Sequence, residues 1–527
     1  MKLFVVGLDG MSPDLLTDLV NRGHMPFVRD LCGQSATGDL RSTRPPVTGP
    51  AWTSYATGCN PEKHGVFDFV VPGDRITDNR SLTAADIGVE TYYEILEENG
   101  FDTVHVNLPV SWPPLTDAPT ITSLLTGDDD PIHPARIQDD TDGLDEYKIA
   151  PDATINRDSP AYIEEIRDIE RRRFSHAKRL METQPWDLFF VLFSGTDWIC
   201  HKYYSELLDG TAPENAVSLF TNIDKYLREL VEMTPEDTNV LVLSDHGFRR
   251  IERIFNINGW LTREGYLSLT GETNYEKEKH AGESVDGRQI DLPLRRVMAI
   301  EPIAKLLRTV YSRVRGYLPV SFSVKRAPDP TISQAFAPTF ELHGIYINTT
   351  ERFEDGTVTS EKYDQIVDEL VTKLSAVEDP STGDRVFNRV ARGDEVFESS
   401  LSDTRPDVIF EPSSMYLLSA SLRERELFRD GTDDYHSETG ICLMTGPDID
   451  EEAGVTGTLV DIAPTILHAF NLPVPAHMDG EVLDMFATDS PVSDREIRVG
   501  EERYRDRDQI DSVDESTQDR LRNLGYL

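Results

Sequence analysis

The stretch Leu3-Phe4-Val5-Val6-Gly7-Leu8-Asp9-Gly10 decides the fold of this chain. Its apolar run is rich in strand formers, is too short to span a membrane, and is closed by an acid and a glycine. The run therefore predicts a buried strand that carries Asp9 at its carboxyl end.

Two further apolar runs repeat this pattern. Residues 187–193 lead to Asp197, and residues 239–244 lead to Asp245. In open α/β sheets, ligands bind beyond the carboxyl ends of the strands. A single aspartate at such a position is more often a turn or cap residue, so the inference depends on the set. Three strands in this order predict a sheet that delivers three carboxylates to one edge.

Histidines accompany two of these acids. His201 follows Asp197 by four residues, which places both side chains on one face of a helical turn. The neighbours Asp245 and His246 can reach one ion only where the chain leaves the sheet, and Gly247 would allow a bend there. Carboxylates and imidazoles are the ligands that suit zinc and its neighbours. The pairs therefore indicate a metal site.

Thr48 is the candidate nucleophile. Pro50 suits the first turn of a helix, and Thr48 suits the position just before it. The start of a helix offers unpaired N–H groups and a partial positive charge, which favour an alkoxide and the phosphoryl oxygens it would attack. On this segment alone, a plain N-cap threonine is the favoured alternative.

His436 is predicted in a loop before another apolar segment, and a lone histidine is more often a surface or hydrogen-bonded residue than a ligand. His436 is counted as a candidate ligand only because the six residues discussed above are also present. Together the set has the composition of a two-metal site around a hydroxyl nucleophile, and it predicts an enzyme. The seven residues are Asp9, Thr48, Asp197, His201, Asp245, His246 and His436.

In the order of its motifs, the chain resembles the alkaline phosphatase superfamily, and within it the type I phosphodiesterase and nucleotide pyrophosphatase family. The matching motifs run from one end of the chain to the other and are specific as an ordered set. They lie at residues 7–11, 46–52, 57–65, 197 and 201, 244–247, 436 and 440, 461–467, and 478–480.

This resemblance implies an α/β fold, an alkaline-phosphatase-like three-layer αβα sandwich with a central, mostly parallel sheet and a cap insertion. It also implies a metal-dependent phosphohydrolase of the phosphodiesterase or nucleotide pyrophosphatase type, which forms a covalent phospho-Thr48 intermediate that water then releases. Two divalent ions are implied, usually zinc, with manganese as the alternative. One ion would be held by Asp197, His201 and His436, and the other by Asp9, Thr48, Asp245 and His246.

Substrate-binding candidates are Gly49, His64 and Asp68. Nucleotide pyrophosphatases of this family carry an asparagine shortly after the His-Gly pair, whereas residues 64–69 contain none. The resemblance therefore supports phosphoester hydrolysis better than it supports a nucleotide substrate. Asp68 would bind a polar substrate group, or else it has a turn or structural role.

Three alternatives stay open at this point. Sulfatases share the architecture, but the nearest match to their nucleophile motif, residues 59–63, ends in lysine and lies downstream of Thr48, so Cys59 is predicted to be a packed thiol. Phosphotransferases are possible relatives because an alcohol can accept the phosphoryl group from phospho-Thr48. A non-catalytic protein that binds a phosphate ligand would have lost a ligand or the nucleophile, and all seven residues are present.

Composition describes the setting of the protein. It has 94 acidic and 52 basic residues, a net charge of -42. Such a surface stays soluble in molar salt and repels itself in low salt, which favours a halophilic host over a cationic partner. The same charge argues against a broad nucleic-acid binding surface. Four widely spaced cysteines suggest reduced thiols, and the absence of a signal-like or membrane-spanning run predicts a cytoplasmic protein.

The ligands are spread along the chain and must meet, which predicts one large core with insertions. The predicted core comprises residues 1–261 and 403–487, the cap 262–402, and a charged C-terminal tail 488–527, with a docked segment at 521–527. The acidic residues 128–158 are predicted to be a surface excursion. Further elements are predicted as helices at 91–99, 161–182, 215–233 and 364–374 and as a strand at 103–107.

Within the cap, residues 295–326 carry eight Lys or Arg and few acids. Apolar residues at helical spacing between these bases would make an amphipathic element for peripheral membrane contact with anionic lipid. A helix packed on the body with solvated arginines is the favoured alternative. The substrate would then be a phosphorylated small molecule, a nucleotide, or a lipid- or glycan-linked phosphodiester.

Overall fold

The computed structural model describes residues 1–127, 131–152, 154–270, 327–396, 404–422, 424, 426–431, 434–505, 520 and 524. The strands are β1 (Lys2–Leu8), β2 (Ala36–Arg41), β3 (Val70–Pro72), β4 (Asn79–Ser81), β5 (Thr103–Leu108), β6 (Thr120–Thr122), β7 (Ile132–His133), β8 (Leu188–Phe193), β9 (Thr238–Leu243), β10 (Gly247–Arg250), β11 (Arg253–Asn256), β12 (Ala335–Phe336), β13 (Gly344–Ile347), β14 (Phe387–Arg392), β15 (Val408–Pro412), β16 (Tyr416–Ser419), β17 (Phe428–Asp430), β18 (Asp434–Ser437), β19 (Thr439–Thr445), β20 (Gly454–Thr458), β21 (Val474–Pro475) and β22 (Val499–Gly500).

The α-helices are α1 (Pro13–Asn21), α2 (Pro26–Cys32), α3 (Thr48–Thr57), α4 (Pro61–His64), α5 (Tyr92–Glu98), α6 (Pro160–Thr183), α7 (Gly195–Asp209), α8 (Glu214–Met233), α9 (Ile257–Glu264), α10 (Ser360–Ser375), α11 (Gly393–Val396) and α12 (Ile462–Ala469). Short 3₁₀ turns lie at Ala84–Asp86, Ala135–Ile137, Asp139–Thr141 and Leu459–Asp461.

A nine-stranded sheet forms the centre of the main body, in the order β20-β2-β19-β9-β1-β8-β5-β6-β7. The three predicted acid-bearing strands are neighbours, because β1 pairs in parallel with both β8 and β9. The strand β19 runs antiparallel to β2 and β9, and β7 runs antiparallel to β6. The sheet is therefore mostly parallel, as the family resemblance implied.

Side chains of β1 alternate between two hydrophobic cores, as a strand covered on both faces requires. Phe4, Val6 and Leu8 belong to the core shared with α1, α2, α6, α7 and α8. Leu3 and Val5 belong to the core shared with α3, α5 and α12. Helices thus cover both faces of the sheet, which makes the three-layer sandwich.

A third core gives the cap its own interior. It gathers buried residues between 255 and 418, together with Phe67 and Ile76 from the main body. The antiparallel sheet β12-β13-β15-β14 and the helix α10 supply most of it. This core begins and ends outside the predicted 262–402 range, and the domain boundaries themselves stay a prediction.

Predicted helices and the strand at 103–107 are confirmed within one to four residues at their ends, a normal uncertainty for helix limits. The predicted surface excursion is wrong in part, because Ile137 and Tyr147 are buried in the main core. In the C-terminal tail, Leu524 is also buried there. The basic stretch 295–326 lies outside the described residues. Within the described ranges, no helix is long and apolar enough to cross a membrane.

Candidate metal centre

The carboxyl ends of three adjacent strands bring the predicted acids together. Leu8 at the end of β1 pairs with Phe193 at the end of β8, and Gly7 pairs with Leu243 at the end of β9. Asp9, Asp197 and Asp245 follow these ends, and all three are completely buried. The parallel register, with strand ends at nearly the same level, therefore places three carboxylates at one edge, as the sequence predicted.

Hydrogen bonds tie the chain just beyond these strand ends. The Thr196 hydroxyl donates to the Asp9 carbonyl at 2.5 Å, and the Gly10 N–H donates to the Asp245 carboxylate at 3.2 Å. The Met11 N–H donates to the Ser244 hydroxyl at 2.9 Å. Sequence reasoning missed Thr196 and Ser244, although each directly precedes a candidate ligand and such a small hydroxyl can hold a neighbouring turn.

Gly10 turns the chain away from β1 with a φ of +67°, in the left-handed region that favours glycine. A Cβ there would also lie 2.6 Å from the Phe248 ring. Gly247 was predicted to provide a bend, and that reason is wrong, because its φ lies outside the left-handed region. Its Cβ would instead meet the Thr439 carbonyl oxygen at 2.2 Å, so the glycine is required by close backbone approach.

The helix α7 begins at Gly195 and carries Asp197 and His201 one turn apart. His201 Nε2 lies 3.4 Å from Asp197 Oδ2, as the four-residue spacing predicted. Beneath this helix, the fully buried Glu170 of α6 accepts a hydrogen bond from the Gly195 N–H and pairs with the fully buried Arg173. Nothing in the amphipathic pattern of α6 distinguishes this pair from surface charges, so the sequence did not reveal it.

Thr48 is buried and is the first residue of α3, with Val47 at the N-cap position. The predicted N-cap role is therefore wrong by one residue. Thr48 Oγ1 lies 3.2 Å from His246 Nε2. The first N–H groups of a helix have no partner within it, so this hydroxyl stands at an electropositive helix start.

Two imidazoles are oriented by backbone carbonyls. His436 Nδ1 lies 3.0 Å from the Pro46 carbonyl, and His246 Nδ1 lies 3.2 Å from the Gly247 carbonyl. A carbonyl only accepts, so each Nδ1 carries the proton and each Nε2 presents a lone pair. His436 lies on β18, opposite Phe248 of β10, rather than in the predicted loop.

Those lone pairs face other acceptors. His246 Nε2 lies 3.3 Å from Asp245 Oδ2 and 3.8 Å from Asp9 Oδ1. His436 Nε2 lies 3.2 Å from Asp197 Oδ1 and 3.1 Å from His201 Nε2. Acceptors that converge in this way need a cation or a proton between them.

Burial shapes the charges of the cluster. It raises the pKa of Asp9 well above its usual value, and the nearby Asp245 and Asp197 add to the shift. It also lowers the pKa of His246 well below its usual value, with a further contribution from His436. For Asp197, burial acts to raise the pKa, but His201 and His436 outweigh it and the pKa is lowered well below the usual value.

The donor set suits divalent metal ions. Ligand atoms of Asp9, Asp245 and His246 lie within 4.8 Å of one another, and so do those of Asp197, His246 and His436. His201 adjoins the second group through its contacts with Asp197 and His436. Among the described residues, both oxygens of Asp9 and Oδ2 of Asp245 are buried without a hydrogen-bond partner. Buried carboxylates are normally paired or bind metal, so these oxygens fit a cation.

The three substrate-binding candidates differ in what they contact. His64 Nδ1 accepts from the Val66 N–H at 3.1 Å, so its Nε2–H donates to the Ser54 hydroxyl at 2.9 Å. Asp68 is buried and accepts from Thr339 of the cap and from the Phe69 N–H. Burial raises the pKa of Asp68 to about 7. These contacts favour structural roles for His64 and Asp68, and their substrate-binding role stays a prediction.

Gly49 follows Thr48 in α3, and a Cβ there would lie 3.1 Å from the Phe69 ring. Its part in substrate binding also stays a prediction. Cys59 is buried and donates weakly to the His477 carbonyl at 3.7 Å. Burial raises its pKa, which agrees with a packed thiol and disfavours a nucleophile.

A cleft of about 810 Å³ lies between the main body and the cap. It reaches His436 and Val47, the residue before Thr48, and Leu342 and His343 of the cap also line it. His343 has a φ of +51°, an uncommon conformation for a residue with a side chain. The cleft gives a substrate a path to the candidate metal centre.

Comparison with known proteins gives one family match. The family model described as type I phosphodiesterase / nucleotide pyrophosphatase matches residues 3–435. A search of curated protein sequences finds no significant match.

Two solved structures are similar in fold. A phosphonoacetate hydrolase from Sinorhizobium meliloti 1021 is 15% identical, with a TM-score of 0.53 over 88% of this chain and 94% of that one. The wild-type alkaline phosphatase PafA is 13% identical, with a TM-score of 0.54 over 91% of this chain and 97% of that one. At these identities, the matches show an alkaline-phosphatase-like fold and carry no functional detail.

Proposed function

This chain belongs to the type I phosphodiesterase/nucleotide pyrophosphatase family of the alkaline phosphatase superfamily, and from that premise we propose that it is a metal-dependent phosphodiesterase whose nucleophile is Thr48. Membership makes it a hydrolase of phosphoric esters. The metal sites, the nucleophile and the preference for diesters are the proposal.

One observation supports the proposal most strongly. The lone pairs of His246 and His436 face carboxylates within 3.3 Å, at a site where the buried Asp9 oxygens have no hydrogen-bond partner among the described residues. A site that required only protons would not need so many acceptors around one point. Divalent cations satisfy all of these atoms at once.

We assign the ligands in two groups. One ion would be held by Asp197, His201 and His436, and the other by Asp9, Thr48, Asp245 and His246. When bound, such ions lower the pKa of a hydroxyl or water and neutralise phosphoryl oxygens. The nitrogen and oxygen donors favour zinc, with manganese as the alternative.

The residues of the chain divide the reaction between them. Thr48 gives up its hydroxyl proton to solvent, its oxygen attacks phosphorus, the bond to the leaving oxygen breaks, and the leaving alcohol takes up a proton from solvent. Water then attacks phospho-Thr48, which restores the hydroxyl and releases a phosphomonoester. The start of α3 stabilises the charge on the phosphoryl oxygens, and Pro46 and Gly247 hold the two imidazoles in the required tautomers.

The substrate is proposed as a class. Family members act on phosphoesters, including nucleotides, and this chain lacks the asparagine after Gly65 that nucleotide pyrophosphatases carry. We therefore propose small phosphorylated molecules and lipid- or glycan-linked diesters as candidate substrates alongside nucleotides. The halophilic setting stays a proposal based on the net charge of -42.

Hydrolysis of three esters tests this proposal. Purified protein in molar KCl with zinc or manganese is assayed on bis-p-nitrophenyl phosphate, p-nitrophenyl phosphate and p-nitrophenyl sulfate, before and after chelation and metal return. We expect the diester to be the best substrate, chelation to abolish turnover, and metal to restore it. Sulfate preference would contradict the nucleophile assignment, and turnover that survives complete metal removal would contradict the metal centre.

A further inference from the structure

We propose that the cleft beside the candidate metal centre binds substrates that carry a second anionic group, and that Arg249 and Arg41 recognise this group. The inference rests on the proposed phosphodiesterase function and names a substrate class for it. Its basis is the charge lining the cleft between the main body and the cap.

Three backbone carbonyls hold the Arg249 guanidinium in place but do not neutralise its charge. Its Nε donates to the His436 carbonyl at 3.0 Å, its Nη2 donates to the Tyr416 carbonyl at 3.3 Å, and its Nη1 donates to the Ser414 carbonyl. A guanidinium has five N–H donors, so two are left for a ligand. The Nε contact also fixes the guanidinium beside the backbone of His436, a proposed metal ligand.

No carboxylate forms an ion pair with Arg249 among the described residues. Glu438 interacts with Arg249 only by longer-range electrostatics. Its carboxylate forms an ion pair with Arg44 at 3.4 Å. Burial lowers the pKa of Arg249, as expected for a cation held by carbonyls alone. Enclosing a charge without a partner costs free energy, so an anion that entered the cleft would be stabilised there.

The other charged groups of the cleft are largely paired. Arg44 binds Glu411 at 2.7 Å, Arg389 lies 3.8 Å from the same carboxylate, and Asp479 pairs with Lys63. This leaves Arg249 and Arg41 as the lining cations, and Glu62 as the lining acid, without an ion pair in the part of the chain that the structure describes. Burial raises the pKa of Glu62.

This imbalance is notable in a chain with a net charge of -42. Arg249 is half-buried, Arg41 is exposed, and neither forms an ion pair with a described residue. Here two such arginines line the same cleft, and the cleft leads to the residue before Thr48. An anionic substrate group explains both positions.

A matched pair of substrates tests the inference. Bis-p-nitrophenyl phosphate is compared with bis(3-carboxy-4-nitrophenyl) phosphate, which adds a carboxylate to each ester group. For the wild-type holoenzyme, we expect the higher kcat/KM on the carboxylated ester. Arg249→Gln should lower kcat/KM about tenfold more on that ester than on the plain ester, the size expected for one charge-assisted contact.

Three further variants separate recognition from structure. Arg249→Lys should retain part of the preference for the carboxylated ester, because lysine keeps the positive charge but lacks the forked donor geometry of the guanidinium. Arg41→Gln should lower kcat/KM more on the carboxylated ester than on the plain ester. The Arg41 side chain holds no described backbone carbonyl, so this effect would not come from a structural change. The control is Arg250→Gln, since this neighbouring arginine is exposed outside the cleft and bonds to Ser205 and Asp209.

Each outcome bears on the inference. Equal wild-type kcat/KM on the two esters would overturn it, and so would equal losses on both esters in Arg249→Gln and no effect in Arg41→Gln. If the wild type hydrolyses neither ester, the proposed function fails. Calorimetric titration with bis(3-carboxyphenyl) phosphate then tests the cleft directly, and equal binding by wild type and both Gln variants would overturn the anion site.

Discussion

In the candidate metal centre, Asp9 and Asp245 keep buried oxygens without a hydrogen-bond partner in the described part of the chain, whereas on the cap Arg392 binds three aspartates at once. The first group lies at zero exposure where three strands end. The second lies at the surface, with Asp364 and Asp368 largely exposed. The acids on the cap are therefore neutralised by a protein cation, whereas no described residue neutralises the buried acids of the metal centre.

The difference teaches where chemistry can occur. Exposed charges neutralise one another in water, and such pairs change stability little. Buried acids that lack partners destabilise the fold unless a cation binds, and they persist where that cation has a function. We therefore infer that the main body performs the reaction and that the cap shapes access to it.

The largest effect is expected at the nucleophile of the main body. Thr48→Ala should lower kcat on bis-p-nitrophenyl phosphate by about 10³-fold or more, because the substitution removes the oxygen that forms the proposed covalent intermediate. Its control is Thr53→Ala in the same helix, whose hydroxyl only donates to the Gly49 carbonyl at 2.8 Å. Zinc content measured beside kcat shows whether the site is intact. A Thr48→Ala enzyme with more than a tenth of the wild-type kcat would contradict covalent catalysis.

The next effect compares Arg173, a fully buried arginine of the main body, with Arg392 of the cap, which is half-buried but pairs with exposed aspartates. Arg173→Met should lower the free energy of unfolding by about 3–5 kcal/mol, because it leaves Glu170 charged and buried. Arg392→Gln should lower it by less than about 1 kcal/mol, since its aspartates return to water. Guanidinium unfolding in molar KCl measures both. Equal losses would remove the distinction between the two regions.

Asp68 joins the main body to Thr339 of the cap, and its effect depends on pH. Burial raises its folded pKa to about 7, above the unfolded value. The folded state then holds a proton that the unfolded state has lost. This contribution to stability is present at pH 4, is lost as pH rises towards 7, and stays lost above it.

The Asp68→Asn variant should not show this loss of stability as the pH rises. The stability of wild type relative to the variant should fall by on the order of 2–4 kcal/mol between pH 4 and 8. Denaturant unfolding at several pH values measures it, with the metal-loaded protein throughout. Parallel pH profiles for the two proteins would show that Asp68 keeps an ordinary pKa.

The smallest effect is expected where exposed charges connect the two regions. Arg44 of the main body binds Glu411 of the cap at 2.7 Å, and half of the Arg44 side chain is exposed. Arg44→Gln should change the free energy of unfolding by less than about 1 kcal/mol, and less again in molar salt. A loss of several kcal/mol would show that this contact fastens the cap.

Local patterns predicted much of this protein. The apolar runs before Asp9, Asp197 and Asp245 predicted three strands, and the helices α6, α8 and α10 followed from their periodicity. A strand buried on both faces and an amphipathic helix leave clear patterns in sequence, because each residue's environment is fixed by its neighbours along the chain.

Other features left no such pattern. The sequence placed His436 in a loop, and it lies on β18 because Phe248 pairs with it across the sheet. Gly247 was assigned a bend, and it is required by the Thr439 carbonyl. Both errors arise because the partner is almost two hundred residues away, beyond the reach of any local pattern.

By itself, the sequence determined which residues stand at the strand ends and the family to which the chain belongs. Only the tertiary structure decided that the lone pairs of His246 and His436 face carboxylates and that Glu170 and Arg173 support α7 from below. It also decided that Arg249 and Arg41 share a cleft in which no described acid pairs with either. Charge and periodicity are properties of the chain, but neutralisation depends on which groups come within about 4 Å of one another in space.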